Sequence, residues 1–229
     1  MMSMLGGGRR FSSQKPSFIQ KKKTIMEESL LNAVTLSSNT KVRELLQSDP
    51  DIDVNGRNEE GFAALHLVDQ IATATIFLLH PAIDVNLLDS QGRTPFFIYC
   101  EKGNASLVKL LLQDWRVAIN RPSRVGSITP LAIASVGGHV DVVRWIIASG
   151  RWLRLRRWVF WGEFSALGLA RGNSGVVPLL EQLRKDRRGT ITALRNQLEI
   201  TGELLFPPLP LHPTFGLDIN VFFFTQTLW

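Results

Sequence analysis

The strongest constraint on this chain is a pattern it repeats. Large apolar residues open five segments at Leu30, Leu65, Phe96, Leu131 and Leu167, so successive openings lie 35, 31, 35 and 36 residues apart. Three residues after each opening stands a small or medium side chain: Ala33, Val68, Tyr99, Ala134 and Ala170. A second apolar pair follows at Leu45-Leu46, Leu78-Leu79, Leu110-Leu111, Trp145-Ile146 and Leu179-Leu180. Extended pieces ending in Asn55, Asn86 and Asn120 then lead to Gly61, Gly92 and Gly126. A fixed period of this length predicts stacked units, because one unit cannot bury its apolar face alone.

Each slot has a physical reading. Thr94 and Thr129 can cap helix N-termini, and Pro95 and Pro130 suit the first helical position, where no amide donor is needed. A large and a small residue three apart share one helical face and let a neighbouring helix approach. Gly103-Asn104 and Gly138-His139 suit a turn between two short helices. The apolar pairs belong to a returning helix, and the Asn-to-Gly stretches predict a turn or short hairpin. Each unit therefore reads as helix, turn, helix, hairpin.

These residues resemble the ankyrin repeat family over roughly 27–186. The best matches are GRTPFF…GNASLVKLLL and TPLAIASVGGHVDVVRWIIASG. Unit boundaries are expected near 27–60, 61–91, 92–125 and 126–150, with a degenerate fifth unit over 151–186. The second unit has Ala63-Ala64 where the family has Thr-Pro, and the fifth has lost its hairpin. Pro178 is tolerable only at the start of an outer helix. The resemblance implies an all-α fold, an ankyrin-repeat solenoid of helix-turn-helix units linked by hairpin loops. End units of such arrays are atypical because they cap the stack.

Outside the repeats the composition changes. Residues 1–26 carry six Lys or Arg and no acid, and few large apolar side chains, which predicts a disordered basic tail. Its Arg and Ser content also fits a mitochondrial transit peptide, and Lys21-Lys22-Lys23 a nuclear import cluster. Residues 27–150 carry ten basic and fourteen acidic side chains, so the pI of 9.9 comes from the flanks and not from the repeats. Residues 151–161, RWLRLRRWVFW, hold four Arg and three Trp. That mixture suits an anionic membrane surface or a nucleic-acid strand, but is read first as an outer loop or helix packed between the fourth and fifth units with its Arg heads solvated. A capping helix is expected within 187–205, running from Ile191 to Leu205. Residues 206–229 form a Pro-rich, apolar tail with Pro-x-x-Pro spacings at 207–210 and 210–213.

No catalytic constellation emerges. His66 occupies the Thr-Pro-Leu-His slot of the family, where such a residue hydrogen-bonds backbone, and His139 sits in an interhelical turn. Neither lies at metal-ligand spacing from Cys, Asp or Glu, so no metal or cofactor is expected. The single cysteine, Cys100, falls on an inner helix and reads as a small buried hydrophobe suited to a reducing compartment. With no apolar run of 18 residues, a membrane span is not expected.

The resemblance implies a non-catalytic module, scaffold or adaptor, monomeric, that binds a protein partner through its hairpin tips and inner helices. Carried onto this chain, the first tip offers Arg57, Glu59, Glu60 and Phe62. The second offers Asp89, Gln91 and Arg93, and the third Ser123, Arg124 and Ser127. The inner helices add Asp69, Gln70, Glu101 and Lys102. Phe62, Arg93 and Arg124 are the expected anchors, since aromatic and Arg side chains dominate binding energy. The alternative is a tether whose basic and Trp-rich flanks bind membrane or nucleic acid. The cytoplasm is the expected location, with the nucleus or mitochondrion as alternatives.

Overall fold

The computed structural model describes residues 18–151, 166–170 and 172–200. All regular structure among them is helical, apart from one isolated antiparallel bridge between Arg57 and Ala63. Five helix pairs follow one another: α1 (Phe18–Thr35) with α2 (Asn39–Ser48), α3 (Ala64–Leu67) with α4 (Ile71–Leu78), and α5 (Pro95–Glu101) with α6 (Ala105–Leu112). Then come α7 (Pro130–Val136) with α8 (Val140–Ala148), α9 (Ala166–Leu169) with α10 (Val177–Lys185), and a final α11 (Arg187–Gln197). The helix-turn-helix units expected from the sequence are therefore present.

The caps explain where the inner helices begin. The Thr94 hydroxyl accepts from the Phe97 amide at 3.1 Å, and Thr129 accepts from Ala132 at 3.3 Å. At α3 the cap position is Ala63, which has no oxygen to offer. His66 compensates by reaching back: its Nδ1 accepts from the Ala63 amide at 3.1 Å, the returning half of a capping box. Asn104 caps α6 by accepting from Leu107 at 3.1 Å. Pro178 lies in the first turn of α10, where a missing amide hydrogen costs nothing.

The chain divides into two compact units. One comprises the described residues up to Ile98 together with Arg121–Ile128. Here α1 packs on α2 and α3, and α2 packs on α4. Its core includes Leu30, Val42, Leu65, Phe77 and Phe96, all buried. Burying one such side chain fully contributes roughly 1.5–3 kcal/mol. The other unit comprises Tyr99–Asn120 and the described residues from Thr129 on. In it α6 packs on α8, α7 on α8 and α9, and α10 on α9 and α11. Leu107, Leu111, Val143, Ile146 and Ile147 are sealed there.

The second unit is finished by α11, which packs on both α8 and α10. Arg195 donates from Nε to Ala148 O at 2.8 Å and from Nη2 to Ser149 O at 3.2 Å, satisfying carbonyls that α8 leaves unpaired at its end. Asp186 caps α11 by accepting from the Gly189 amide at 2.9 Å.

Three expectations need adjustment. The disordered tail expected over 1–26 does not extend across residues 18–26, because α1 starts at Phe18; Gln, Lys and Met in that stretch are good helix formers. The last helix runs Arg187–Gln197 instead of from Ile191 to Leu205, with Glu199 at a positive φ of 53° just beyond it. Arg151, the first residue of the Arg/Trp-rich stretch, is an internal brace. It donates to Asp114 O and Trp115 O at 3.3 Å and to Val117 O at 2.6 Å, and its own carbonyl accepts from Arg187 at 3.3 Å. Burial pulls its pKa down, opposed by the charge of Asp114. The rest of that stretch, residues 152–161, the first 17 residues, and the expected tail over 206–229 lie outside the described residues.

Candidate partner-binding surface

The first unit carries three hairpin turns built on one rule: a short polar side chain three residues before a glycine. In the first, Asn58 Oδ1 accepts from the amides of Glu60 at 3.1 Å and Phe62 at 2.8 Å. In the second, Asp89 Oδ1 accepts from Gln91 at 2.9 Å and Arg93 at 2.7 Å. In the third, the Ser123 amide donates to Ile128 O at 3.0 Å and its hydroxyl to Val125 O at 2.7 Å. Backbone bonds close the first two loops identically: Asn58 N to Phe62 O at 2.9 Å, and Asp89 N to Arg93 O at 3.0 Å.

The turns stand side by side. Gly61 and Gly92 take φ of +83° and +72°, in the left-handed region that glycine enters without strain. A Cβ at Gly61 would lie 2.8 Å from Ser90 N, and one at Gly92 would lie 2.7 Å from Arg124 Cβ and 3.0 Å from its N. The third turn is joined to the second by a bond from Arg124 N to Gln91 O at 3.0 Å. Below the tips, Asn55 bridges two loops, with Nδ2 donating to Ala82 O at 2.7 Å and Oδ1 accepting from the Asp84 amide at 2.9 Å.

On this frame the candidate residues separate into groups. Arg57, Glu59, Glu60, Gln91 and Arg124 are exposed, and Phe62, Arg93 and Ser127 are half-buried. The Arg93 guanidinium lies 5.8 Å from the Phe62 ring centroid, and that ring in turn lies 6.0 Å from the His66 ring. Arg93 Nε also donates to Asp89 Oδ2 at 2.7 Å, so the cation is fixed over the ring. Ser127 holds φ of +51°. Asp69 and Gln70, in the turn between α3 and α4, are exposed; Asp69 accepts from the Ser37 hydroxyl at 2.9 Å and Gln70 from Asn39 at 3.2 Å.

Asp89 and Ser123 take a different part from the one expected of them. Both are buried, 4% and 6% exposed, and their polar atoms are committed to their own turns. They shape the tips instead of facing outward. Glu101 and Lys102 belong to the second unit at the end of α5. There the Glu101 carbonyl meets His139 Nε2 at 3.0 Å, and Lys102 is exposed.

His66 supports the tips from below. Because its Nδ1 accepts from Ala63, its Nε2 carries the proton and donates to Arg93 O at 3.2 Å. One ring therefore holds the start of α3 and the second turn together. Sequence reasoning passed over Asn58 and over Asn173, whose Nδ2 donates to Ser135 O at 2.8 Å and Val136 O at 3.0 Å. The signal for Asn58 was present: Asn58, Asp89 and Ser123 each stand three residues before the repeat glycine. Cys100 is fully buried, and burial pushes its thiol pKa well up, which suits the packing role expected of it. Among the described residues, no helix is long and apolar enough to cross a membrane.

Comparison with known proteins identifies the repeats. Residues 68–153 match the family model for ankyrin repeats in three copies. Its repeats are ankyrin repeats. It is 30% identical over 102 residues to the SMC5-SMC6 complex localization factor protein 1 of Bos taurus, covering 43% of this chain and 10% of that protein. It is 31% identical over 150 residues to the probable 26S proteasome regulatory subunit p28 of Saccharomyces cerevisiae, covering 62% of this chain and 63% of p28. It is 29% identical over 110 residues to the tyrosine-protein kinase HTK16 of Hydra vulgaris, 47% of this chain and 14% of the kinase. The chain thus spans a tenth of the Bos taurus factor and less than two thirds of p28. Ankyrin repeats are in general non-catalytic protein-interaction modules.

Proposed function

We propose that this protein is a non-catalytic adaptor that holds a protein partner on the row of hairpin tips in its first unit. The observation that supports this most is the Phe62–Arg93 pair. It is a half-exposed aromatic ring under a guanidinium that Asp89 already fixes, so little ordering remains to be done on binding. Rigid aromatic and Arg anchors are the residues that carry interface energy. That two relatives are titled as a complex localization factor and a regulatory subunit agrees with an adaptor role. The single buried thiol agrees with a reducing compartment, and we take the cytoplasm as the working location. The tether reading gains nothing from Arg151, whose guanidinium is occupied by three carbonyls.

The test is affinity capture from cell extract with the full chain and with a Phe62→Ser, Arg124→Glu variant, after circular dichroism shows that both are folded. At least one protein retained by the wild type and lost from the variant is expected. Identical sets captured by both would count against the tips as the binding surface.

A further inference from the structure

The three tips of the first unit differ in charge along their row. The first carries Glu59 and Glu60, both exposed, against one base, Arg57. Glu27 of α1 adds to it, with Cβ and Cγ each 3.6 Å from the position a Cβ would take on the adjacent Gly56. In the second tip Asp89 and Arg93 neutralise each other at 2.7 Å. The third carries Arg121 and Arg124, both exposed, and residues 121–130 contain no acid. Between the ends lies the Phe62 ring under Arg93. The row is therefore acidic at one end, aromatic in the middle and basic at the other.

Contacts between neighbouring turns make this order a fixed one. Ser90 is pressed against Gly61 and Arg124 against Gly92, and the Arg124 amide is bonded to Gln91. A ligand therefore meets these charges in a set sequence at a set pitch. Complementary charge placed along such a row fixes register and orientation and penalises a reversed ligand through like-charge contact.

Resting on the interaction reading above, the geometry points to an extended peptide segment of bipolar charge as the partner. Its Lys or Arg residues lie over Glu59 and Glu60, its Asp or Glu residues over Arg121 and Arg124, and an apolar or aromatic side chain meets Phe62 between them. The same segment in reverse sets like charges together at both ends and is rejected.

The probe is a phage-displayed library of random 12-residue peptides selected on the full-length chain, followed by fluorescence anisotropy with a synthetic copy of the most enriched sequence. Enriched peptides are expected to carry basic and acidic blocks at opposite ends. Arg121→Glu with Arg124→Glu is expected to weaken the synthetic peptide by about tenfold or more. Replacing its acidic block by Lys should then restore binding to that variant. The neutral pair Arg121→Gln and Arg124→Gln gives a smaller loss in the same direction and serves if charge reversal disturbs folding. Enriched peptides without segregated charge, or a charge reversal that changes affinity by less than about twofold, overturn the inference and leave the interaction reading standing. No enrichment on the wild type overturns both.

Discussion

His66 shows how much one side chain carries in this fold. Its neutral ring accepts from Ala63 and donates to Arg93 O, and it is 1% exposed. A protonated ring cannot accept from the Ala63 amide. Burial lowers its pKa from the ordinary 6.5, against the opposing pull of the Arg93 carbonyl and the Asp89 charge. The unfolded chain therefore takes up a proton near pH 6.5 that the folded chain refuses, so this stability is complete above that pH and declines as the pH falls below it. Urea unfolding at pH 7.5 and 5.5 is expected to show the wild type losing stability on acidification. His66→Ala should cost about 2–4 kcal/mol at pH 7.5, from an orphaned amide and a cavity, and should flatten that pH slope. An unchanged slope in the variant would assign the acid sensitivity to other groups.

The same scale shows where sequence legibility ended. His66 could be placed in backbone hydrogen bonding from its slot alone. Asp89 could not be assigned correctly, because an acid in a loop tip looks like a binding residue until its neighbours' amides are seen converging on it. Its turn-forming role was written only in the comparison with Asn58 and Ser123.

Among the elements, the hairpins depend on close approach more than on their own bonds. Gly92→Ala combines a φ of +72° with a Cβ placed 3.0 Å from the Arg124 amide nitrogen, so both the residue and the next turn must move. A loss of about 1–3 kcal/mol is expected in thermal or urea unfolding, with the third turn disturbed in amide spectra. A loss below a few tenths would mean that the turns are not locked together. The helix pairs were readable from period and caps. The two ends were less so. Helix α1 begins inside a Lys-rich run that composition assigns to a tail, and Gly189 looks like a breaker although its amide completes the Asp186 cap of α11.

For the whole molecule, the separation of charge matters more than the net value of +6. The excess of base sits in the flanks, and the repeats are mildly acidic, with fourteen acids against ten bases over residues 27–150. Stability in repeat chains is carried by neighbour contacts, so damage should spread from its site and fade. Phe77→Ala removes a fully buried ring at a cost of about 3–5 kcal/mol. Hydrogen exchange is expected to accelerate most in α1–α4 and least in α8–α10. Uniform acceleration along the chain would show instead that it unfolds as one cooperative block.

The glycine-backed stacking of the turns has one more consequence. Because neighbouring turns touch through backbone atoms, the outward side chains can be exchanged without altering the spacing between them. The row works as a ruler whose graduations are set by folding and whose markings are free to vary. A new partner could be acquired by rewriting Glu59, Glu60, Arg121 or Arg124 alone, at little expense to the helices beneath.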